Sequence, residues 1–446
     1  MPSAEPLGDA EVDRLLAPFR TARALALAVS GGPDSTALMV LAAGWRDRTP
    51  AAPPLRVLTV DHALRPASAA EAAAVATRAA ALRLPHETLT WAGPKPAAGL
   101  QAAARQARYR LLAEAARRAG CDRLLTAHTL DDQAETVLMA LARGSGVYGL
   151  AAMPPSRPLG GLALDRPFLD VPKARLVATL EARGETWAED PSNRDPRFRR
   201  AETRRILAAL APLGLDVRAL SETAARMARA AAAIDATVDA LLAGAASLRP
   251  GGYVRLDHEA WMAAPAEVRL RALARLIRTV APGPYPPRLA RLEELEQALR
   301  AAGDLPGRTL GGARVVGEGG AVWLFREFGR GGAPALDLAP GASALWDGRF
   351  DLVLSSEAPE PVHVAPAPPA LVRRLRPAIR GPERLALATL PAFFRNGAVA
   401  AVPALGHWTN ALSPAHLSVR PAAVAGGPAF PAGGHFEAGP EHGSGG

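Results

Sequence analysis

The densest chemistry in this chain lies in Ser30-Gly31-Gly32-Pro33-Asp34-Ser35, between an apolar run ending at Val29 and a helical pattern that opens near Thr36. Two adjacent glycines let backbone N–H groups converge on an anion, and a helix start adds unpaired N–H donors and the positive end of its dipole. A phosphate cradle fits these residues, and a plain strand-to-helix turn capped by Ser30 or Asp34 is the other reading. The run is not of the Walker type, which needs a lysine after its second glycine. A second group is Asp131, Asp132 and Glu135. Asp132 and Glu135, three apart, share one face of a helix, where two carboxylates can hold a metal ion or a lysine ammonium. Thr129 followed three residues later by Asp132 also spells a capping box, and both roles can hold at once. Asp61-His62 and His128 form a third group, with no C-x-x-C or H-E-x-x-H partner to make a zinc site. Last, Arg194, Arg197, Arg199, Arg200, Arg204 and Arg205 stand against Asp195 and Glu202 alone. Such a cluster is either a solvated basic face or a set of contacts to RNA phosphates and to a transferring phosphoryl group.

Four apolar runs position these groups: 24–29, 55–60, 86–91 and 122–127. Their starts fall roughly thirty residues apart, the length of a strand plus its crossover helix, which predicts a parallel, doubly wound α/β sheet. Ligands in such sheets sit beyond the carboxyl ends of the strands, where the loop at 30–35, Asp61-His62, the region near Gly93 and the run from His128 all fall. Beyond them the pattern predicts a helix over 171–183, an Arg-rich turn and helix over 193–210, and one long helix over 217–246. From Gly251 it changes to helical stretches over about 258–281 and 287–302, then short β-like runs such as Ala321 to Phe325. The expected organisation is a catalytic α/β domain over 1–215, a helical linker over 216–250, a smaller α+β accessory region over 251–420, and a disordered Gly, Pro and Ala tail over 421–446. Gly144-Ser145-Gly146-Val147-Tyr148-Gly149 matches G-x-G-x-x-G, but it follows a predicted helix instead of a strand, so it reads as a helix stop or substrate loop and not as a dinucleotide site.

Composition narrows the class. The 446 residues are 49% hydrophobic and 21% charged, which excludes collagen and wholesale disorder. The single cysteine, Cys121, allows no internal disulfide and no site of several thiolates, and a reducing cytoplasm fits it. Acidic residues near the start and the lack of any long apolar run predict a soluble chain without a secretion signal or membrane span. Lys and Arg total 52 against 43 Asp and Glu, for a net charge of +9, and only Lys95 and Lys173 are lysines. An arginine-dominated excess suits phosphate recognition, although base-composition bias produces the same excess.

The loop Ser30 to Ser35 resembles the PP-loop of the ATP pyrophosphatase superfamily, the adenine nucleotide alpha-hydrolase-like fold. In chain order, Val60-Asp61-His62-Ala63-Leu64-Arg65-Pro66, Gln101 to Arg105 with Arg108-Tyr109, Ala127-His128-Thr129-Leu130-Asp131-Asp132-Gln133-Ala134-Glu135-Thr136, Arg143 to Gly146, Glu189 to Asn193 and Phe198-Arg199-Arg200 together resemble tRNA(Ile)-lysidine synthetases. The resemblance covers about residues 24–210, and it departs from the family pattern at Ala201, where many members have Asn. It implies ATP-dependent joining of L-lysine to C2 of the wobble cytidine of tRNA(Ile) with a CAU anticodon, through an adenylated tRNA. For the site it implies ATP on Ser30, Gly31, Gly32, Pro33, Asp34, Ser35, Asp61, His62 and His128, with His62 near the adenosine and His128 at the phosphates. It further implies Mg2+ on Asp34 and Asp132, lysine on Asp132 and Glu135, catalysis by Asp34, Asp132 and Arg200, and tRNA on Arg194, Arg197, Arg199, Arg204 and Arg205. A homodimer stays open. The competing readings are a thiolase-like PP-loop enzyme, which would want a cysteine pair, and a non-catalytic RNA-binding protein, which would leave the glycine loop and paired acids idle.

Overall fold

The computed structural model describes residues 4–63, 67–93, 95–96, 99–188, 199–249, 251–283, 286–301, 304–329, 332–375 and 382–422. Two compact units divide the chain, Met1–Ala231 and Ala232–Gly446.

In the first unit the elements run α1 (Asp9–Leu16), β1 (Leu25–Ala28), α2 (Pro33–Arg48), β2 (Leu55–Asp61), α3 (Ala67–Ala81), β3 (His86–Thr90), α4 (Leu100–Arg118), β4 (Arg123–Leu125), α5 (Leu130–Leu141), α6 (Val147–Leu150), β5 (Ser156–Leu159), β6 (Leu162–Asp165), α7 (Lys173–Ala182), α8 (Arg199–Leu210) and α9 (Val217–Ala245), the last running on into the second unit. The sheet order is β3-β2-β1-β4-β6-β5, parallel except for the β5–β6 pair. From β1 the chain winds outward through β2 and β3, then returns to place β4 on the other side of β1. The strand order therefore reverses between β1 and β4, where doubly wound sheets open a crevice for ligands.

β1 reads Leu-Ala-Leu-Ala because both its faces are buried. Leu25 and Leu27 enter a core with Leu38, Trp45, Val57, Phe168 and Leu176, whereas Ala26 and Ala28 enter a second with Leu58, Tyr109, Leu112, Leu124 and Leu164. Alternation along the strand thus fixes α2 and α7 to one face and α4 to the other.

The second unit opens with a five-stranded sheet built from β7 (Ala246–Arg249), β8 (Tyr253–Asp257), β9 (Leu305–Leu310), β10 (Ala313–Glu318) and β11 (Ala321–Arg326), in the order β7-β8-β11-β10-β9. Its core takes Val238 and Leu242 of α9, with Val254, Leu256, Leu273, Leu276, Val315 and Leu324. A further five-stranded and a three-stranded sheet follow, sharing a core around Trp346, Phe350 and Phe393. The single helical stretch expected over 258–281 is two helices, α10 (His258–Ala263) and α11 (Ala266–Val280). Pro265 has no N–H to donate and forces the residue before it out of the helical region, and Ala264 is extended at φ −75°, ψ 153°. No helix of the described residues is long and apolar enough to cross a membrane.

Phe168 is fully buried in the core that carries α2 and α7. Phe168→Ala is expected to cost about 3–5 kcal/mol in denaturant unfolding, and a loss under 1 kcal/mol would show that this core does not carry the first unit.

Candidate active site

The glycine turn leaves β1 at Ser30. Gly31 adopts φ +89°, which a side chain rarely tolerates, and a Cβ there would touch Val75; a Cβ on Gly32 would meet open space. The turn is braced from inside: Ser35 Oγ donates to the Gly32 carbonyl at 3.1 Å and accepts from the Ser30 N–H at 3.1 Å, while Thr36 donates to the Gly31 carbonyl. Pro33 opens α2 where a missing N–H costs nothing, and Asp34 follows in the first turn.

This turn forms one wall of a cavity of about 560 Å³, the size class of small-molecule sites. Of the expected residues, Ser30, Gly32, Pro33, Asp34, Ser35, His62, His128, Asp132 and Arg204 line it, joined by Lys173 and Arg108, which the sequence reading did not assign. Asp61 is not among the lining residues: its carboxylate accepts from the Ala63 N–H at 2.8 Å, and a hydrogen bond from Ser68, then the one from Ala63, holds it below its ordinary value. Glu135 is buried outside the lining and accepts from Arg204 Nε at 2.5 Å. Arg204, expected on a tRNA face, is therefore in the cavity wall, while Arg205 one residue on is exposed. Arg194 and Arg197 lie outside the described residues, as do the side chains of Arg199 and Arg200.

Three acids meet at the starts of α2 and α5. Asp132 completes the capping box, its carboxylate accepting from the Thr129 N–H at 2.9 Å while Thr129 Oγ1 accepts from the Asp132 N–H. Asp131 accepts from the Lys173 N–H at 2.7 Å and so ties the start of α7 to the start of α5. Asp34 accepts from Lys173 Nζ at 2.8 Å through Oδ2, while its Oδ1 is buried with no hydrogen-bond partner among the described residues. Burial pushes the Asp34 carboxyl up, Lys173 pulls it down, and the charges of Asp132 and Asp131 push it up again. For Arg204 burial works against the charge, but the bond to Glu135 and the charges of Glu135, Asp132 and Asp34 outweigh it and raise the guanidinium further.

The two imidazoles are uncharged at neutral pH. Burial brings His128 down to about 3 against the opposing pull of Asp132, and its Nδ1 is 2.9 Å from Thr126 Oγ1. Burial, then the Arg108 charge, lowers His62, whose ring stands edge-on to Trp91 at 6.0 Å. The G-x-G-x-x-G run follows α5, with Gly144 at φ +66° and Ser145 N–H bonded back to the Ala140 carbonyl, which is a helix stop. It does not line the cavity.

Residues 7–210 match a family model described as the PP-loop domain. The tRNA(Ile)-lysidine synthase of Rhodopseudomonas palustris is 51% identical over 67% of this chain and 86% of its own. The protein of the same name from Methylobacterium nodulans is 52% identical over 71% of this chain and 94% of its own. This chain belongs to the tRNA(Ile)-lysidine synthase family. The parallel sheet, the glycine turn and the acids of α5 all lie within the residues that match the PP-loop domain of this lysidine synthase family member.

A histidine at about 3 when folded and near 6.5 when unfolded takes up fewer protons in the fold between those values. Its contribution to stability is therefore whole above about pH 6.5 and is lost as the pH falls toward 3. Ligand-free His128→Asn is expected to lose less thermal stability than the parent protein between pH 7 and 5; parallel declines would show that the His128 environment is not the cause.

Proposed function

We propose that this chain joins L-lysine to C2 of the wobble cytidine of tRNA(Ile) with a CAU anticodon, using ATP and forming an adenylated tRNA on the way. What carries the reading is that the glycine turn opens into the same cavity as Asp34, Asp132, Lys173 and Arg204. In the first step the C2 oxygen of cytosine attacks the α-phosphorus of ATP, the bond to the bridging oxygen breaks, and pyrophosphate leaves. In the second, the lysine amine attacks C2 and gives up a proton, the C2–O bond breaks, and AMP leaves with that oxygen.

The residues fit these demands. Backbone N–H groups at the start of α2 receive phosphate oxygens. Mg2+ binds through one or two carboxylates plus phosphates. The orphaned Oδ1 of Asp34, raised by burial and by neighbouring acids, is a site in want of a cation, with Asp132 in the same wall. When bound, the metal neutralises phosphate charge. Arg204, oriented by Glu135, faces the charge that develops at the transferring phosphoryl group, and Arg200 is assigned to help it. Asp132 offers its carboxylate to the lysine ammonium, and Glu135, engaged by Arg204, acts by holding that guanidinium in place. His62 meets the base, and neutral His128 can exchange a hydrogen bond with a phosphate but cannot offset its charge.

The accessory region over 251–420 is assigned to hold the tRNA outside the reacting nucleotide. On one face of its first sheet the Arg255 guanidinium lies over the Trp323 ring at 5.8 Å, a cation beside a stacking surface, as unpaired RNA bases require. Removing the Trp323 ring with Trp323→Ala is expected to weaken tRNA binding roughly tenfold and leave ATP binding unchanged, read by filter binding; unchanged tRNA binding removes this face from the proposal.

Pyrophosphate release, measured with each amino acid and bulk tRNA, is expected to require lysine and tRNA together, and turnover indifferent to lysine would overturn the reaction. Asp34→Ala is expected to abolish adenylation without unfolding the first unit. If adenylated tRNA still accumulates in that variant, Asp34 is not needed for the first step.

A further inference from the structure

Three arginines converge on one tyrosine at the edge of the parallel sheet, and the reaction proposed above uses none of them. The guanidinium groups of Arg105 on α4 and Arg157 on β5 each lie 5.2 Å from the centre of the Tyr109 ring. Arg166, directly after β6, donates to the Tyr109 hydroxyl and, through Nη1, to the Pro154 carbonyl at 2.6 Å. No carboxylate of the described residues pairs with any of the three. Asp165, next to Arg166 in the chain, is taken by Arg123 at 3.1 Å, and Glu114, on the helix of Arg105, by Arg110 at 3.2 Å.

Cations gathered without acids destabilise the ligand-free fold. Burial lowers the Arg166 guanidinium, Tyr109 opposes it, and the charges of Arg157 and Arg105 lower it again. The ring offsets part of this repulsion, yet Nε of Arg166 stays buried with no hydrogen-bond partner among the described residues. An anion supplies the missing charge, and forked guanidinium donors match phosphate oxygens. Position indicates which anion. Arg166 is buried, Arg157 half-buried and Arg105 exposed, so the group opens to the surface. None of the three lines the cavity, but Arg108, the residue before Tyr109, does. Burial lowers His128 in the cavity wall, Asp132 opposes it, and the charges of Arg166, Arg108 and Arg105 add to the lowering. A free amino acid does not suit this group, because the ammonium beside its carboxylate would meet three cations and no acid. An RNA whose base enters the cavity must leave its phosphodiester links at the mouth, where these arginines stand.

Resting on the proposed reaction with tRNA, we infer that Arg105, Arg157 and Arg166 form a phosphodiester site that grips the RNA backbone beside the wobble cytidine while its base occupies the cavity. Arg166 is the fixed floor of this site, held by Tyr109 and Pro154, and Arg157 and Arg105 are its walls. Contacts of this kind read no sequence and set register. A phosphate held at the sheet edge restricts where the attached ribose can lie, and so limits the positions open to the C2 oxygen of cytosine.

The test uses the full chain with Arg105→Gln, Arg157→Gln and both together, leaving the buried Arg166 in place. It reads tRNA(Ile) binding across a salt series, ATP binding, KM for lysine and thermal unfolding, and it repeats the tRNA binding with a methylphosphonate replacing the phosphate 5′ or 3′ of the wobble cytidine. The double variant is expected to bind tRNA about tenfold more weakly at low salt, with a salt slope shallower by about one. ATP binding and KM for lysine are expected within twofold of the parent, and unfolding within a few degrees. One of the two methylphosphonates is expected to weaken the parent about tenfold and the double variant less than twofold. Unchanged tRNA affinity and slope would overturn the inference. So would a rise in KM for lysine alone, which makes the anion an amino-acid carboxylate, or an equal loss of ATP, which makes the arginines part of the nucleotide cavity. Equal methylphosphonate losses in parent and variant at both positions would mean that the arginines only brace the β5–β6 hairpin. If Arg157→Gln unfolds, the exposed Arg105→Gln carries the same comparison. Should the parent form no AMP with lysine and tRNA, the proposed reaction fails, and the methylphosphonate comparison still decides whether these arginines meet an RNA phosphate.

Discussion

The parallel pairing of β1 with β2 on one side and β4 on the other is the constraint from which the site follows. A strand buried on both faces and paired on both edges leaves its chain only one way out, past its carboxyl end. That exit must turn sharply into α2, which explains the positive φ of Gly31 and the hydroxyl braces from Ser35 and Thr36. Because β4 lies directly beside β1, the capping box of α5 opens at the same level, and α7 is drawn in through Asp131. Residues separated by more than a hundred positions meet here because one strand has two parallel neighbours.

Charge is the second organising theme. Helix starts favour acids, and Asp34, Asp131 and Asp132 all use them. Their proximity in a partly buried place would be unfavourable without cations, and removing one member of such a buried pair typically costs several kcal/mol. Lys173 and Arg204 supply that balance in the ligand-free protein.

The strands and the glycine turn were legible because their signals are local: apolar runs at regular spacing, and small residues between a strand and a helix. The capping box was legible for the same reason. Long-range partnerships were not. Lys173 reaches Asp34 across 139 positions, and the only trace in the sequence was the rarity of lysine. Arg204 and Arg205 are adjacent and chemically identical, and only packing of α8 against α5 sends one into the cavity and leaves the other exposed. Asp61 sits at a strand end, where the reading expected a ligand, but the Ala63 N–H and Ser68 claim its carboxylate first. Pro265 was visible in the sequence, and the apolar periodicity on both sides of it outweighed a break that its missing N–H enforces.

Cys121 is free, buried and the only thiol of the chain, and burial pushes its thiol up, so at neutral pH it stays protonated and shielded. The folded molecule is therefore a ready background for spectroscopy: a cysteine introduced at one exposed position becomes the single reactive handle. A fluorophore or spin label attached there would report on nucleotide arrival from that position alone, with the native sulfur left in place to support its core.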